Sequence, residues 1–210
     1  MPQLRPRRYS GGARLYDVLS GERPVYRVGR TRAIELLALR PGDRVLDIGC
    51  GTGLNLPLLR AAVGPGGQVT GLDASADMLA VARRRASRAG WDNVRLVEGD
   101  AARLRDLAGP GPFDAVIATY ALSLMPAWES TWEQALGLLA PGGRAAVVDL
   151  SLPSGVGLPL RPLARLACWS GGADPHREPW RLLERDLPGA TTETHRAGHV
   201  VLSVGRRPGA

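Results

Sequence analysis

The sequence predicts a single α/β domain built around a parallel sheet. Short runs rich in Val, Leu and Ile alternate with longer amphipathic stretches, which is the pattern of successive βαβ units. The segment VLDIGCGTGLNLP at residues 45–57 places a glycine-rich turn directly after the first apolar run. At 210 residues the chain is long enough for one such domain with a sizeable core.

Each element is assigned from its local pattern. Strands are predicted at residues 44–48, 68–72, 94–98, 115–118, 144–149 and 200–204. Helices are predicted near residues 23–39, 55–63, 75–89 and 129–139. Ser75 is placed as the N-cap of the third of these helices, and Gly90 as its stop. The run Pro141-Gly142-Gly143 predicts a turn between a helix and the next strand.

The chain is divided into a basic N-terminal segment and cap at residues 1–22 and one domain at residues 23–210. Within that domain, residues 151–175 (SLPSGVGLPLRPLARLACWSGGADP) interrupt the alternation with Pro- and Gly-punctuated ends and an apolar middle. Long ordered connections are often functional, so this insertion is expected to face the substrate.

Composition excludes several classes of protein. The two cysteines form neither a disulfide framework nor a zinc motif, and no metal site is expected. No apolar stretch approaches the ~20 residues of a membrane-spanning helix, so a cytoplasmic protein is expected. The net charge of +7 is concentrated at the N-terminus, where residues 1–40 carry nine arginines against three acids. Such a segment suits an anionic lipid surface, a nucleic acid or an acidic partner, or is a solvated flank.

The glycine turn predicts a nucleoside-binding site. A strand, a glycine turn and a helix, with an acid ending the next strand, form the plan of such a site, and Asp73 supplies that acid. A dinucleotide fingerprint would read GxGxxG, whereas here the spacing is Gly49-x-Gly51-x-Gly53 and Leu54 stands at the third position. An NAD-dependent oxidoreductase is therefore disfavoured.

Asp47, two residues before the glycines, bears on the charge of the ligand. A carboxylate beside the loop repels a pyrophosphate but suits a ligand with cationic groups. S-adenosylmethionine carries a sulfonium and an α-ammonium and no phosphate. The alternative is that Asp47 merely caps the loop.

Five separated segments together resemble the class I S-adenosylmethionine-dependent methyltransferases. They are VLDIGCGTG, the acid Asp73, VEGDA at 97–101, FDAVIATYAL at 113–122 and LLAPGGRAAVVDL at 138–150. The resemblance implies a Rossmann-like, seven-stranded mixed sheet of order 3-2-1-4-5-7-6 with strand 7 antiparallel and helices on both faces. It also implies S-adenosylmethionine as cofactor and S-adenosylhomocysteine as product.

The resemblance assigns the cofactor contacts by position. Gly49 and Gly51 flank the methionyl part, Asp73 holds the ribose, Asp100 contacts the adenine amino group, and Met78 or Ala74 packs on the ring. The full set of expected cofactor residues is Asp47, Gly49, Cys50, Gly51, Gly53, Asn55, Asp73, Ala74, Met78, Gly99, Asp100, Ala101 and Thr119. For Met78 an ordinary core position is the alternative.

Candidates for the acceptor side follow the fourth strand or lie in the two flanking segments. Tyr120, Ser123 and His176 are the candidate catalytic residues, since a hydroxyl, a phenol or an imidazole can orient or deprotonate an acceptor. Tyr16, Tyr26 and Trp169, together with Tyr120, are expected to face the substrate. A dedicated base is optional, because methyl transfer is helped mainly by positioning and desolvation.

The stretch from Tyr120 to Leu150 is similar to bacterial N-methyltransferases of phospholipids and betaine lipids and, less specifically, to ubiquinone/menaquinone methyltransferases. The leading hypothesis is methylation of an amine nitrogen on a small molecule or lipid head group. An O- or C-methyltransferase of a quinone or specialised-metabolite pathway is the enzymatic alternative. A non-catalytic cofactor- or nucleic-acid-binding protein is the alternative of another class, although no nucleic-acid partner is expected.

Membrane contact is a separate hypothesis from the identity of the acceptor. Residues 158–169 carry an apolar stripe beside Arg161 and Arg165, which could form a lid or enter a bilayer surface. An ordinary helix packed on the sheet is the alternative. Together with the N-terminal arginines, the stripe predicts peripheral contact with the inner face of an anionic membrane.

Overall fold

The computed structural model describes residues 25–153, 155–174 and 176–209 of the chain. Predictions for Tyr16 and for the basic segment at residues 1–22 lie outside the described residues. The helices are α1 (Arg27–Leu36), α2 (Leu56–Val63), α3 (Ala76–Arg88), α4 (Leu104–Leu107), α5 (Trp128–Leu138), α6 (Arg161–Gly171) and α7 (Trp180–Asp186). The strands are β1 (Arg44–Ile48), β2 (Gln68–Asp73), β3 (Val94–Glu98), β4 (Phe113–Thr119), β5 (Leu139–Leu150), β6 (Thr191–His195) and β7 (Val200–Arg206).

The strands form one sheet of order β3-β2-β1-β4-β5-β7-β6. The strands β1 to β5 are parallel to one another, and β7 runs antiparallel to both β5 and β6. This confirms the expected Rossmann-like mixed sheet. Because β1 and β4 are adjacent, their carboxyl ends meet at one edge, where ligands bind in open α/β sheets.

Helices cover both faces of the sheet. On one face α1, α2 and α3 bury apolar side chains that include Ile34, Leu59 and Ala82. On the other face α4, α5 and α7 do the same, with Trp132 almost completely buried. Ser75 accepts a hydrogen bond from Met78 N at the start of α3, and Gly90 has φ +65° just after its end, as predicted for the two caps.

Two predictions of secondary structure need correction. The turn expected at Pro141–Gly143 lies inside β5, where the pairing with β4 changes register and Gly142 has φ +75°. The strand β6 is not among the predicted elements. Its sequence, TTETH, lacks an apolar face because β6 is an edge strand whose threonines are exposed.

The insertion at 151–175 contains a 3₁₀ helix (Gly155–Leu160) that runs into α6. The inward side of α6 buries Ala164 and Cys168 against the rest of the domain. Leucines on its other side are exposed. Within the described ranges, no helix combines the length and the apolarity needed to cross a membrane.

Candidate functional site

The loop after β1 is shaped by three glycines with left-handed backbones. Gly49, Gly51 and Gly53 have φ of +67°, +54° and +78°, a region that side-chain-bearing residues rarely adopt. A Cβ on Gly49 would lie 2.5 Å from Ala121 Cβ, so the loop after β1 packs closely on the loop after β4. A Cβ on Gly51 would meet no atom within 4 Å. The loop therefore leaves open space above Gly51, at the carboxyl edge of the sheet.

Asp73 ends β2 beside this loop. Its two carboxylate oxygens each accept one backbone hydrogen bond, from Gly51 N and from Ser75 N, both at 2.8 Å. Burial raises the pKa of Asp73, and the two backbone donors oppose that rise. Each oxygen keeps a further lone pair. A half-buried carboxylate held in this way can accept hydrogen bonds from a pair of ligand hydroxyls.

Asp47 lies inside a buried polar cluster at the end of β1. Asn55 Nδ2 donates to Asp47 Oδ1 at 2.8 Å, while Asn55 Oδ1 accepts from Arg30 at 2.6 Å. Arg30 also donates to Thr119 Oγ1 at 2.8 Å. Because the Arg30 guanidinium can only donate, it fixes the orientation of the Asn55 amide so that the NH₂ group faces Asp47.

The second oxygen of Asp47 is the unusual group of this cluster. Oδ2 is buried and has no hydrogen-bond partner among the described residues. Burial raises the pKa of Asp47 to about 6, the neighbouring charge of Asp73 adds to that rise, and Asn55 and Arg30 oppose it. A buried carboxylate oxygen without a donor costs free energy. A ligand that brings a cationic donor to Oδ2 would remove that cost.

These groups fit S-adenosylmethionine. Two carboxylates and one arginine complement a ligand that carries an ammonium, a carboxylate and a sulfonium. Asp47 and Asp73 would oppose a pyrophosphate. Two observations support this fit. Asp47 Oδ2 has no donor among the described residues, and the space above Gly51 is open.

The residues expected around the adenine lie along the ends of β2 and β3. Ala74 is exposed, whereas Met78 and Ala101 are buried. Asp100 is exposed, and its side chain accepts from Ala102 N at 2.9 Å, which caps a short 3₁₀ turn. Gly99 packs against Leu107, which a Cβ would approach to 2.4 Å. The adenine-side contacts remain predictions.

The side chain of Cys50 is buried against β2 and does not face the open space above the loop. It is 7% exposed and packs against Gly71, whose added Cβ would lie 2.9 Å from the sulfur. Burial raises the pKa of the Cys50 thiol well above its usual value. The thiol is therefore protonated at neutral pH, and any cofactor contact of Cys50 stays a prediction.

Tyr120 connects the end of β4 to the N-terminal helix. Its hydroxyl donates to Tyr26 O at 2.6 Å, and the rings of Tyr120 and Tyr26 lie 5.1 Å apart. Tyr26 also faces the ring of His199 at 6.4 Å, which completes a row of three rings. Tyr120 has φ +56°, a strained backbone for a non-glycine residue, and such strain clusters at functional sites.

Ser123 lies in a second buried polar cluster, centred on Asp149. The Ser123 hydroxyl and backbone N donate to the Asp149 carboxylate at 2.6 and 3.0 Å, and Leu150 N donates to it at 2.9 Å. Arg177 donates to Ser123 O and Met125 O, which ties the loop after β4 to the end of the insertion. Burial raises the pKa of Asp149.

Two further candidates lie near this cluster. His176 is exposed, and its backbone N donates to Asp174 Oδ1. As the neighbour of Arg177, His176 sits at the end of the insertion. Trp169 belongs to α6, and its side chain is outside the described part of the chain. Catalytic roles for Ser123 and His176 and a substrate-facing role for Trp169 remain predictions.

Three residues of these clusters were not identified from the sequence. Arg30 precedes the buried Ala33 and Ile34 by three and four positions, and this helical spacing is the signal that places it on the buried face. Asp149 carries the same signal as Asp47, an acid at the end of an apolar strand. For Arg177 the sequence holds no comparable signal, because its partners are carbonyl groups of a distant loop.

Comparison with known proteins identifies the family of the chain. A family model described as a methyltransferase domain matches residues 39–197. Demethylmenaquinone methyltransferase of Staphylococcus aureus is 35% identical over 141 residues, which are 67% of this chain and 56% of that protein. The chain therefore matches only about half the length of these curated relatives.

Solved structures share the fold at low sequence identity. A SAM-dependent methyltransferase from Aquifex aeolicus aligns with a TM-score of 0.66 and 18% identity, over 92% of this chain and 96% of its own. The phosphoethanolamine N-methyltransferase 2 of Haemonchus contortus, in complex with phosphomonomethylethanolamine and S-adenosylhomocysteine, aligns with a TM-score of 0.72 and 15% identity. That alignment covers 94% of this chain and 57% of the other.

Proposed function

The chain belongs to the class I S-adenosylmethionine-dependent methyltransferases, and we propose that its acceptor is an amine nitrogen on a small molecule or on a lipid head group. A cofactor at this edge of the sheet is supported by the buried Asp47 Oδ2, which has no donor among the described residues. When bound, the cofactor supplies a methyl group made electrophilic by its sulfonium.

Each charged group at this edge has a role in holding the cofactor. Asp47 accepts from the α-ammonium through its second oxygen, and Arg30 supplies positive charge for the α-carboxylate. Asp73 accepts from the ribose hydroxyls with its remaining lone pairs. Two acids and one arginine give the site a net negative charge. This charge favours the cationic S-adenosylmethionine over its neutral product, S-adenosylhomocysteine, and so helps product release.

An amine acceptor is supported because Asp149 and His199, which could act as bases near β4, already make hydrogen bonds within the protein. Asp149 already accepts three hydrogen bonds, and His199 Nδ1 lies 2.7 Å from Ser151 O. A neutral amine carries its lone pair and needs no base at the moment of transfer. The rings of Tyr26 and Tyr120 suit an alkylated ammonium, through cation–π attraction.

The second candidate is carbon or oxygen methylation of a quinol. The name of the Staphylococcus aureus relatives favours it, since they act on a demethylmenaquinone. A quinol must lose a proton as it is methylated, so this reaction needs a base near the acceptor. The phosphoethanolamine N-methyltransferase shares the fold and supports neither acceptor over the other.

A radiolabel experiment separates the two acceptor classes. The chain is incubated with methyl-tritiated S-adenosylmethionine and either amine-bearing lipids and metabolites or reduced demethylmenaquinone. We expect label in a product whose methyl group sits on nitrogen. Label in the quinol alone would overturn the amine proposal, while label in neither, with S-adenosylhomocysteine still bound, would exclude both acceptors.

Tyr120→Phe is expected to slow turnover about tenfold and to change the affinity for S-adenosylhomocysteine by less than about twofold. The phenol holds α1 and the row of rings through Tyr26 O, and the cofactor contacts proposed above do not involve it. Steady-state kinetics and calorimetry measure the two effects. Thr192→Val, which removes an exposed hydroxyl bond to Glu184 on the far edge strand, is the control. A larger effect of Tyr120→Phe on affinity than on turnover would remove Tyr120 from the acceptor side.

A further inference from the structure

The segment after β5 exposes a row of leucines. Leu158, Leu160, Leu163 and Leu166 are 52%, 51%, 67% and 58% exposed. Within the described ranges, only one other large apolar side chain, Leu124, is classed as exposed, at 38%. Contiguous exposed apolar side chains of this size are uncommon on a monomer and mark an interaction surface. We call these four leucines, with Arg161 and Arg165, the α6 face.

Packing of the helix does not account for the α6 face. Ala164 and Cys168 are 6% and 1% exposed, so α6 already buries its small side chains against the domain. The leucines lie on the opposite side, with the larger apolar groups turned to solvent. The alternative that this stripe is an ordinary helix packed on the sheet does not account for the exposed leucines.

The charged residues of the segment that carries the leucines are all arginines. Arg161 and Arg165 are exposed on the same helix, and no acidic residue occurs between Leu150 and Asp174. Leucine side chains flanked by arginines form the pattern of helices that lie in the interface of an anionic bilayer. A partner protein with an acidic rim would present a similar charge, and it is distinguished from a lipid surface by vesicle binding.

The position of the α6 face connects it to the acceptor side. The segment begins just after Asp149, whose carboxylate binds the loop after β4, and ends near Arg177, which binds the same loop. Both ends of the segment that carries the leucines are therefore tied to the loop after β4.

We propose that the α6 face docks this enzyme on an anionic lipid surface. The leucines enter the boundary between head groups and acyl chains, and Arg161 and Arg165 pair with lipid phosphates. The inference deepens the proposed function, because it makes a membrane-dissolved molecule the source of the acceptor. The docking itself requires neither the cofactor nor the acceptor.

Vesicle sedimentation without cofactor or acceptor tests the docking. The full chain is mixed with vesicles of phosphatidylcholine and phosphatidylglycerol, or of phosphatidylcholine alone. We expect binding to the mixed vesicles, at least about tenfold weaker for the double variant Leu163→Ser and Leu166→Ser. The pair Arg161→Gln and Arg165→Gln should also weaken it severalfold and reduce its sensitivity to salt. The pair Arg84→Gln and Arg88→Gln, exposed arginines of α3, removes equal charge as the control and should bind as the unchanged chain does.

Three results would overturn the docking proposal. One is vesicle binding by the leucine variant as tight as that of the unchanged chain, and another is a loss of binding by the α3 pair as large as that of the α6 pair. Alternatively, the leucine variant could convert a dimer to a monomer in vesicle-free ultracentrifugation, which would assign the α6 face to a second copy. Thermal denaturation checks that each variant is folded. Asp73→Ala should leave vesicle binding unchanged, so a failure of the cofactor site and a failure of docking are distinguishable.

Discussion

Replacing Asp73 by alanine is expected to weaken the binding of S-adenosylhomocysteine by at least about a hundredfold. Hydrogen bonds to a charged group contribute about 1.5–3 kcal/mol each, and the carboxylate is positioned to accept two from the ribose. The alanine variant also removes the acceptor of Gly51 N and Ser75 N, so the glycine loop loses its anchor on β2. Isothermal titration calorimetry measures the loss of affinity.

The matched control for this prediction is Asp92→Ala. Asp92 is an exposed carboxylate just before β3, at the opposite end of the strands from the glycine loop. Its loss removes the same charge from the chain but not from the site, so affinity should stay within about twofold. Thermal denaturation of both variants checks that the fold is intact. Equal affinity of Asp73→Ala and the unchanged chain would remove Asp73 from the ribose site.

Replacing Asp47 by asparagine is expected to lower the affinity for S-adenosylhomocysteine by about tenfold to a hundredfold at pH 7.5. The substitution keeps an oxygen for Asn55 Nδ2 but replaces the oxygen proposed to accept from the α-ammonium. Loss of one charge-assisted hydrogen bond has about this magnitude. The experiment is again a calorimetric titration, with Asp92→Asn as the exposed-carboxylate control.

The same variant changes how cofactor affinity depends on pH. The pKa of Asp47 is raised to about 6, chiefly by burial, so the carboxyl is neutral below that pH and charged above it. The α-ammonium binds the charged form, and the affinity of the unchanged chain should fall by up to about tenfold per pH unit below pH 6. Asp47→Asn should flatten this profile between pH 5 and 7. An identical slope in both proteins would assign the titration to another group.

The free energy of unfolding should fall as pH rises, whereas the affinity for the cofactor rises. The unfolded chain loses the Asp47 proton near pH 4, whereas the folded chain keeps it to about pH 6. Folding is therefore most favourable at low pH with respect to this group, and about 3 kcal/mol is lost as pH rises through that window. In denaturant titrations without ligand, Asp47→Asn should show a smaller loss of stability between pH 4 and 7 than the unchanged chain. Asp73 and Asp149, whose pKa values are also raised by burial, account for the part that remains.

The sequence predicted the elements that obey a local rule. The apolar runs of β1 and β3 lie at the predicted bounds, and Ser75 and Gly90 cap α3, because these features depend on neighbours a few residues away. The seven-stranded order came from resemblance to a family and is confirmed. The glycine loop and Asp73 were found from the local pattern before any resemblance was used, since a tight turn and a strand end are visible in the sequence.

What could not be predicted depends on contacts between distant elements. Arg30, Asn55 and Thr119 belong to three separate elements, and their cluster around Asp47 exists only once the sheet has formed. The bond of Tyr120 to Tyr26 O uses a backbone carbonyl, which any residue offers. Leucines at helical spacing indicated an amphipathic α6, but spacing alone does not tell which side of a helix the domain covers.

The central claim is that Asp47 and Asp73 hold a cationic, phosphate-free cofactor at the carboxyl edge of β1 and β2. Parallel calorimetric titrations of the unchanged chain with S-adenosylmethionine, S-adenosylhomocysteine and NAD at pH 7.5 test it most directly. We expect both S-adenosyl compounds to bind and NAD to give no measurable heat. Tight binding of NAD, with no binding of either S-adenosyl compound, would contradict the claim.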